Sequence, residues 1–137
     1  ALGLMQLMPR TARMMNSSYL ASNADIEPAS TANESKHDSN RKMSEPVLNI
    51  TLGERYVGHL LGNSLINGNL FYMLTAYNAG IGRLKEWQDN IDYNDDPLLF
   101  VESIPYSETR GYIMQVMTNY WVYSELSGVQ NKSIFAR

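Results

Sequence analysis

Residues 107–128 read Ser-Glu-Thr-Arg-Gly-Tyr-Ile-Met-Gln-Val-Met-Thr-Asn-Tyr-Trp-Val-Tyr-Ser-Glu-Leu-Ser-Gly. Tyr112, Ile113, Val116, Met117, Tyr120, Tyr123 and Leu126 recur at helical spacing, Ser107 can cap the start, and Gly128 is a stop. The stretch predicts one long amphipathic helix. Just upstream, Ile104-Pro105 breaks a shorter helix through Val101 or Glu102, which Asp96 caps and Pro97 opens as first helical residue. Acidic, turn-forming sequence fills Asp89 to Asp96, and Gly82 to Gln88 reads as a short helix carrying Trp87. Before it, Asn67-Gly68-Asn69 turns into an apolar helix, Leu70 to Tyr77, which closes on Asn78-Ala79-Gly80. Ile50, Val57, Leu60 and Leu61 set a further helix from Val47 to about Leu61, with Gly62 as its end. No stretch keeps a period of two, so the fold class is all-α.

The N-terminal part is less regular. Ala1 to Met8 is apolar except for Gly3 and Gln6, and Pro9 is placed to open a short helix through Met15. From Asn16 to Pro46 the chain turns to Ser, Asn, Ala, Glu and Lys, with few large apolar residues. That stretch reads as a polar insertion at about 16–46, a surface excursion within one domain over 1–137. A dense apolar opening at Ala1, with no initiator Met, reads as a cut edge of a longer protein.

Composition narrows the function. The chain has 137 residues, 14 acidic against 11 Lys plus Arg, a formal charge of −3 and no Cys. Without a basic surface, nucleic-acid binding through phosphate neutralisation is not expected. Without Cys there is no disulfide, thiolate metal site or cysteine nucleophile. Apolar runs fall well short of the roughly 18 residues that span a bilayer, so no transmembrane segment is expected. His37 and His59 are far apart with no carboxylate at ligand spacing, and neither metal nor cofactor is implied. Asn-x-Ser/Thr triplets at Asn16, Asn33, Asn49 and Asn131 are what chance gives in so Asn- and Ser-rich a chain.

Three segments can carry chemistry. In Gly3-Leu4-Met5-Gln6-Leu7-Met8-Pro9, Gln6 is the one polar side chain of an apolar run. It is either tied to backbone in a core helix or set in a cleft wall, with Met8 as a soft apolar contact. In Ala76-Tyr77-Asn78-Ala79-Gly80-Ile81-Gly82-Arg83, Tyr77 offers a ring face and Asn78 an amide, a pairing that suits sugars. An Asn-Gly helix stop with a packed Tyr explains them equally well. In Phe100 to Tyr112, Glu102 stands between Val101 and, two residues on, Ile104. Partial burial could keep Glu102 protonated, or Arg110 or a backbone cap could pair with it structurally. Glu108, in the first turn of the last helix, is accounted for by the helix dipole.

Together and in this order, these segments resemble the catalytic domain of the soluble lytic transglycosylases, lysozyme-like enzymes that cut bacterial peptidoglycan. The matching residues are Gly3 to Pro9 with Thr11-Ala12, Asn49-Ile50 with Gly53 and Tyr56, Ala76 to Gly82, and Phe100 to Tyr112. They cover nearly the whole chain outside 16–46. The resemblance implies a lysozyme-like helical fold and a cleft for alternating N-acetylglucosamine and N-acetylmuramic acid. It implies non-hydrolytic cleavage of the β-1,4 bond, in which one glutamic acid serves as acid and then base and the muramoyl C6 hydroxyl closes a 1,6-anhydro ring. Gln6 and Met8 would then be cleft contacts. Tyr77 and Asn78 would lie beside the acid, Glu102 would be a supporting carboxylate, and Arg110 and Tyr112 would support the cleft structurally.

The chain departs from the family pattern in one respect that matters. The family's catalytic Glu, followed by Ser, precedes the Gly-Leu-Met-Gln motif, and this sequence starts two residues before that motif. The resemblance therefore implies no catalytic residue here, with the acid upstream of Ala1 and this chain inactive by itself. Two other functions stand beside it: a hydrolytic muramidase, told apart by its reducing-end products, and a non-catalytic peptidoglycan-binding or scaffolding module. Peptidoglycan as partner implies the periplasm of a Gram-negative bacterium, further domains in the parent protein, and any outer-membrane association through those other regions.

Overall fold

The computed structural model describes residues 1–22 and 36–128. Among them are seven helices: α1 (Pro9–Ser22), α2 (Lys36–Met43), α3 (Pro46–Leu61), α4 (Leu70–Ala79), α5 (Ile81–Asn90), α6 (Pro97–Ser103) and α7 (Ser107–Leu126). The described residues form no strand, only one isolated antiparallel bridge between Leu2 and Leu7. The all-α class holds. The chain divides into two compact units, Ala1–His59 and Leu60–Arg137.

In the first unit, Leu2 and Leu7 exchange backbone hydrogen bonds of 2.7 and 3.1 Å, closing a tight loop ahead of α1. Gly3 and Gln6 turn it with positive φ of 58° and 49°. A core helix over residues 3–8 is thus excluded, because two left-handed residues break it. The loop is held from inside by Asn49 of α3, whose side chain is wholly buried. Its Oδ1 accepts from the Met5 N–H at 2.8 Å, and its Nδ2 donates to the carbonyls of Leu2 at 3.1 Å and Met43 at 3.0 Å. Leu7, Ala12, Met15, Met43 and Leu52 are the buried apolar residues of this unit.

The described parts of the polar stretch 16–46 are more ordered than its composition predicts. α1 does not end at Met15 but runs to Ser22, with the Ser17 hydroxyl turned back onto the Arg13 carbonyl at 3.0 Å. Residues 36–43 form α2, which packs on α1, and Arg13 donates to Asn40 Oδ1 at 3.2 Å. Met43 supplies the buried apolar anchor. Tertiary contact overrides weak local propensity here. The rest of the insertion, 23–35, lies outside the described residues.

The second unit is built around α4. Phe71, Met73, Leu74, Thr75 and Ala76 are all buried, which covers most of the helix circumference, and α5, α6 and α7 each pack against it. A helix apolar on nearly every side belongs in a centre. Asn69 starts it by accepting from the Phe71 and Tyr72 N–H groups at 2.9 and 3.2 Å. Asp96 does the same for α6 through the Leu98 and Leu99 N–H groups, with Pro97 as first residue, as its sequence predicts. Tyr72, Tyr93 and Phe100 form an edge-to-face trio with centroids 5.1 to 6.4 Å apart. One capping expectation fails: Ser107 is already helical, and Tyr106 stands at the N-cap of α7 with no side-chain cap bond.

Candidate functional site

Gly80 decides where the second chemical segment goes. It ends α4 and begins α5 with φ +90°, its N–H bonded to the Ala76 carbonyl. Glycine takes this backbone freely, whereas a side chain there would be strained. The reversal leaves Asn78 and Ala79 at the end of α4 beside Arg83 of α5, at one wall of an open groove. The opposing wall is the Pro105-Tyr106 link and the first turn of α7, Ser107 to Thr109. The groove has a volume of about 560 Å³.

Two of the sequence segments meet here through side chains. The Thr109 hydroxyl, itself buried, donates to Asn78 Oδ1 at 2.9 Å across the packed α4 and α7. With its oxygen engaged, the Asn78 carboxamide keeps its two N–H donors for the groove. Tyr106 is half exposed and stands edge-on to the buried Trp87 at 5.3 Å. Arg83 lies over the Tyr106 ring, its Cζ 5.5 Å from the centroid, and pairs with Glu86 at 2.8 Å. The contacts of Trp87, Tyr106 and Arg83 tie the two walls of the groove together and give it an aromatic face and a cation.

The residues singled out in the sequence are distributed as follows. Asn78 lines the groove; Tyr77 is half-buried and does not. Glu102, in the last turn of α6, is exposed. Arg110 is not its partner either, because the Arg110 guanidinium donates to the Ile104 carbonyl and clamps the turn between α6 and α7. Its exposure corrects the burial reading of Glu102, and the Ile104 contact corrects the pairing with Arg110. Tyr112 is half-buried, and burial pushes its phenol pKa up. In the other unit, Gln6 is exposed and its Nε2 donates to the Gly3 carbonyl at 2.9 Å, the backbone tie anticipated for it. Met8 is 63% exposed. Arg83, Tyr106, Thr109 and Glu108 were not picked out as groove residues. Their common signal is proximity to the two Gly-marked or Pro-marked links, but only the packing of α4 on α7 makes them neighbours.

Comparisons with known proteins give the family. Residues 1–99 match the family model for the transglycosylase SLT domain. The chain belongs to the SLT transglycosylase family. Residues 103–132 also match the soluble lytic transglycosylase helical domain. This SLT chain is 33% identical over 117 residues to the soluble lytic murein transglycosylase of Escherichia coli K12, covering 85% of the chain and 16% of that protein. It is 34% identical over 128 residues to the protein of the same name from Salmonella typhimurium, covering 93% of the chain and 18% of that protein. Its fold matches the X-ray structure of an inactive Glu-to-Gln mutant of lytic transglycosylase Slt from Pseudomonas aeruginosa, with TM-score 0.70 and 32% identity, over 92% of this chain and 18% of that one. The SLT chain thus spans less than a fifth of the length of these relatives. Among its described residues, no helix is long and apolar enough to cross a membrane, and no His, Cys, Asp and Glu group could hold a metal.

Proposed function

We propose that the groove between the end of α4 and the start of α7 binds the glycan strand of peptidoglycan, as part of a lytic transglycosylase. The observation that carries this reading is the Asn78–Thr109 hydrogen bond, which fixes an amide donor beside an exposed aromatic ring in a member of the SLT family. A sugar ring offers hydroxyl and acetamido oxygens at its rim and C–H groups on its face. Asn78 Nδ2 supplies donors for the first, and the Tyr106 ring a surface for the second. By resemblance alone, Gln6 and Met8 on their loop in the first unit, and Tyr77, Glu102 and Tyr112 in the second, are proposed as further glycan contacts. Arg110 supports it by holding the Ile104 turn.

In this reading the general acid and base is a glutamate ahead of the Gly3-Leu4-Met5-Gln6 motif. It protonates the leaving glycosidic oxygen, then takes the proton of the muramoyl C6 hydroxyl as that oxygen attacks C1 and closes the 1,6-anhydro ring. The Glu-to-Gln mutant of the neighbour is inactive, which supports a glutamate in this role. Glu102 is exposed in the last turn of α6 and does not line the groove. The periplasm follows as the compartment of the substrate.

Product analysis tests the reading. The protein that carries this chain is expected to release muropeptides with 1,6-anhydro ends from purified sacculi, detected by mass spectrometry. Reducing ends instead would make it a hydrolytic muramidase. The 137-residue chain by itself is expected to bind sacculi without cutting them. Anhydro products from the chain alone, abolished by Glu102→Gln, would overturn the placement of the acid.

A further inference from the structure

The sugars of the proposed substrate are uncharged apart from carboxylates that hang from the muramoyl unit. One is the lactyl group at O3 when the peptide has been removed; the others belong to the peptide stem when it is present. Arg83 is the one cation among the groove residues. It is held in two ways, by the Tyr106 face under it at 5.5 Å and by Glu86 at 2.8 Å through one nitrogen. A guanidinium has five N–H donors in a fixed fork, so most of its donors remain after that pairing. Tyr106 is itself braced by the buried Trp87, so the fork is set at the groove wall at little entropic cost. Glu108 lines the same groove and opposes any anion there.

We propose that Arg83 is a specificity residue that takes a carboxylate of the muramoyl unit, so that the groove prefers acidic muropeptides over neutral chito-oligosaccharides. This rests on the glycan reading given above and adds the charge to it. Glu108 sets the upper limit on that preference by repulsion. The two residues therefore shift acidic ligands in opposite directions relative to neutral ones, a pattern that a general loss of fold cannot produce.

Calorimetric titration of the 137-residue chain tests this with three probes: chitotetraose, a stem-free disaccharide carrying only the lactyl carboxylate, and the same disaccharide with its peptide stem. Arg83→Gln is expected to weaken acidic probes roughly 3- to 10-fold, as for a partly exposed charge-assisted contact, and chitotetraose by clearly less. Glu108→Gln is expected to tighten the acidic probes about 2- to 5-fold. If the lactyl probe responds, the lactyl group is the ligand; if only the stem-bearing probe responds, the stem is. Equal loss for neutral and acidic probes, or none, would overturn the role of Arg83 while leaving the glycan reading intact. Failure of all three probes to bind the unsubstituted chain would overturn both.

Discussion

The Asn49 carboxamide occupies the place a Gly3 side chain would need. A Cβ on Gly3 would lie 2.5 Å from Asn49 Cγ and 2.6 and 2.7 Å from its two terminal atoms. The same amide satisfies Met5 N–H and two carbonyls, so loop and α3 are fitted to each other through one polar side chain. It also accounts for the Asn49-Ile50-Thr51 triplet, since this Asn is wholly buried.

Substituting Asn49 should be costly and should depend on chemistry more than on size. Asn49→Ala leaves one N–H and two carbonyls without their partner, an expected loss of about 2–4 kcal/mol. Asn49→Asp, though isosteric, can only accept, and it would face the Leu2 and Met43 carbonyls with negative charge. It is expected to cost as much as Ala or more. Urea unfolding of the three chains checks the order; an Asp variant as stable as the original would refute the hydrogen-bond account.

Gly53 is predicted to couple energetically with Met5. An added Cβ would lie 2.5 Å from Met5 Cγ and 2.9 Å from Met5 Cβ, too close for a swing of the side-chain tip to relieve. Gly53→Ala should destabilise by about 1–3 kcal/mol by overpacking. Met5→Ala in the same chain should recover part of that loss. A double-mutant cycle measured by chemical unfolding would show a coupling of about 1 kcal/mol, and strict additivity would count against the contact.

Thr109→Val keeps the shape of the buried side chain and removes the donor to Asn78 Oδ1. Stability should fall by only about 1 kcal/mol, because the amide oxygen can turn to water in the groove. Affinity for sacculi should fall further than that of a distant surface control such as Lys85→Ala. Co-sedimentation compares the two.

Alkaline pH should weaken the second unit through Tyr72. Its phenol pKa is pushed well up, first by burial, then by its hydrogen bond and interaction with Tyr93 and by the nearby Asp95 and Asp96. With the folded pKa above the unfolded one, stability is fully present below about pH 10 and is lost as pH rises beyond it, where the unfolded chain releases the proton first. Thermal melts from pH 8 to 11 should show a falling Tm, and Tyr72→Phe should flatten that fall. Tyr56 and Tyr112, both raised by burial, add in the same direction.

Much of the helical layout is legible in single residues. Asp96-Pro97, Asn69 and Gly80 mark helix ends by local rules that need no partner, and each stands where those rules put it. The order within 16–46 was hidden, because α2 carries one apolar anchor and is held by a neighbour, which composition does not register. Glu102 misled for the mirror reason. Its apolar neighbours Val101 and Ile104 are buried on one side of α6, and the carboxylate points away with the exposed residues.

By itself, then, the sequence determined the all-α class, the helix limits set by Asn, Asp, Pro and Gly, and the family, through four short motifs. Those are properties of neighbours along the chain, where backbone preference and capping act. Tertiary structure alone decided that Thr109 meets Asn78, that Arg83 rests on Tyr106, and that Asn49 carries the opening loop. These pairs lie 31, 23 and, for Met5 with Asn49, 44 positions apart. Their proximity comes from burying α4 among three helices and the loop against α3. It is a product of packing that no local pattern encodes.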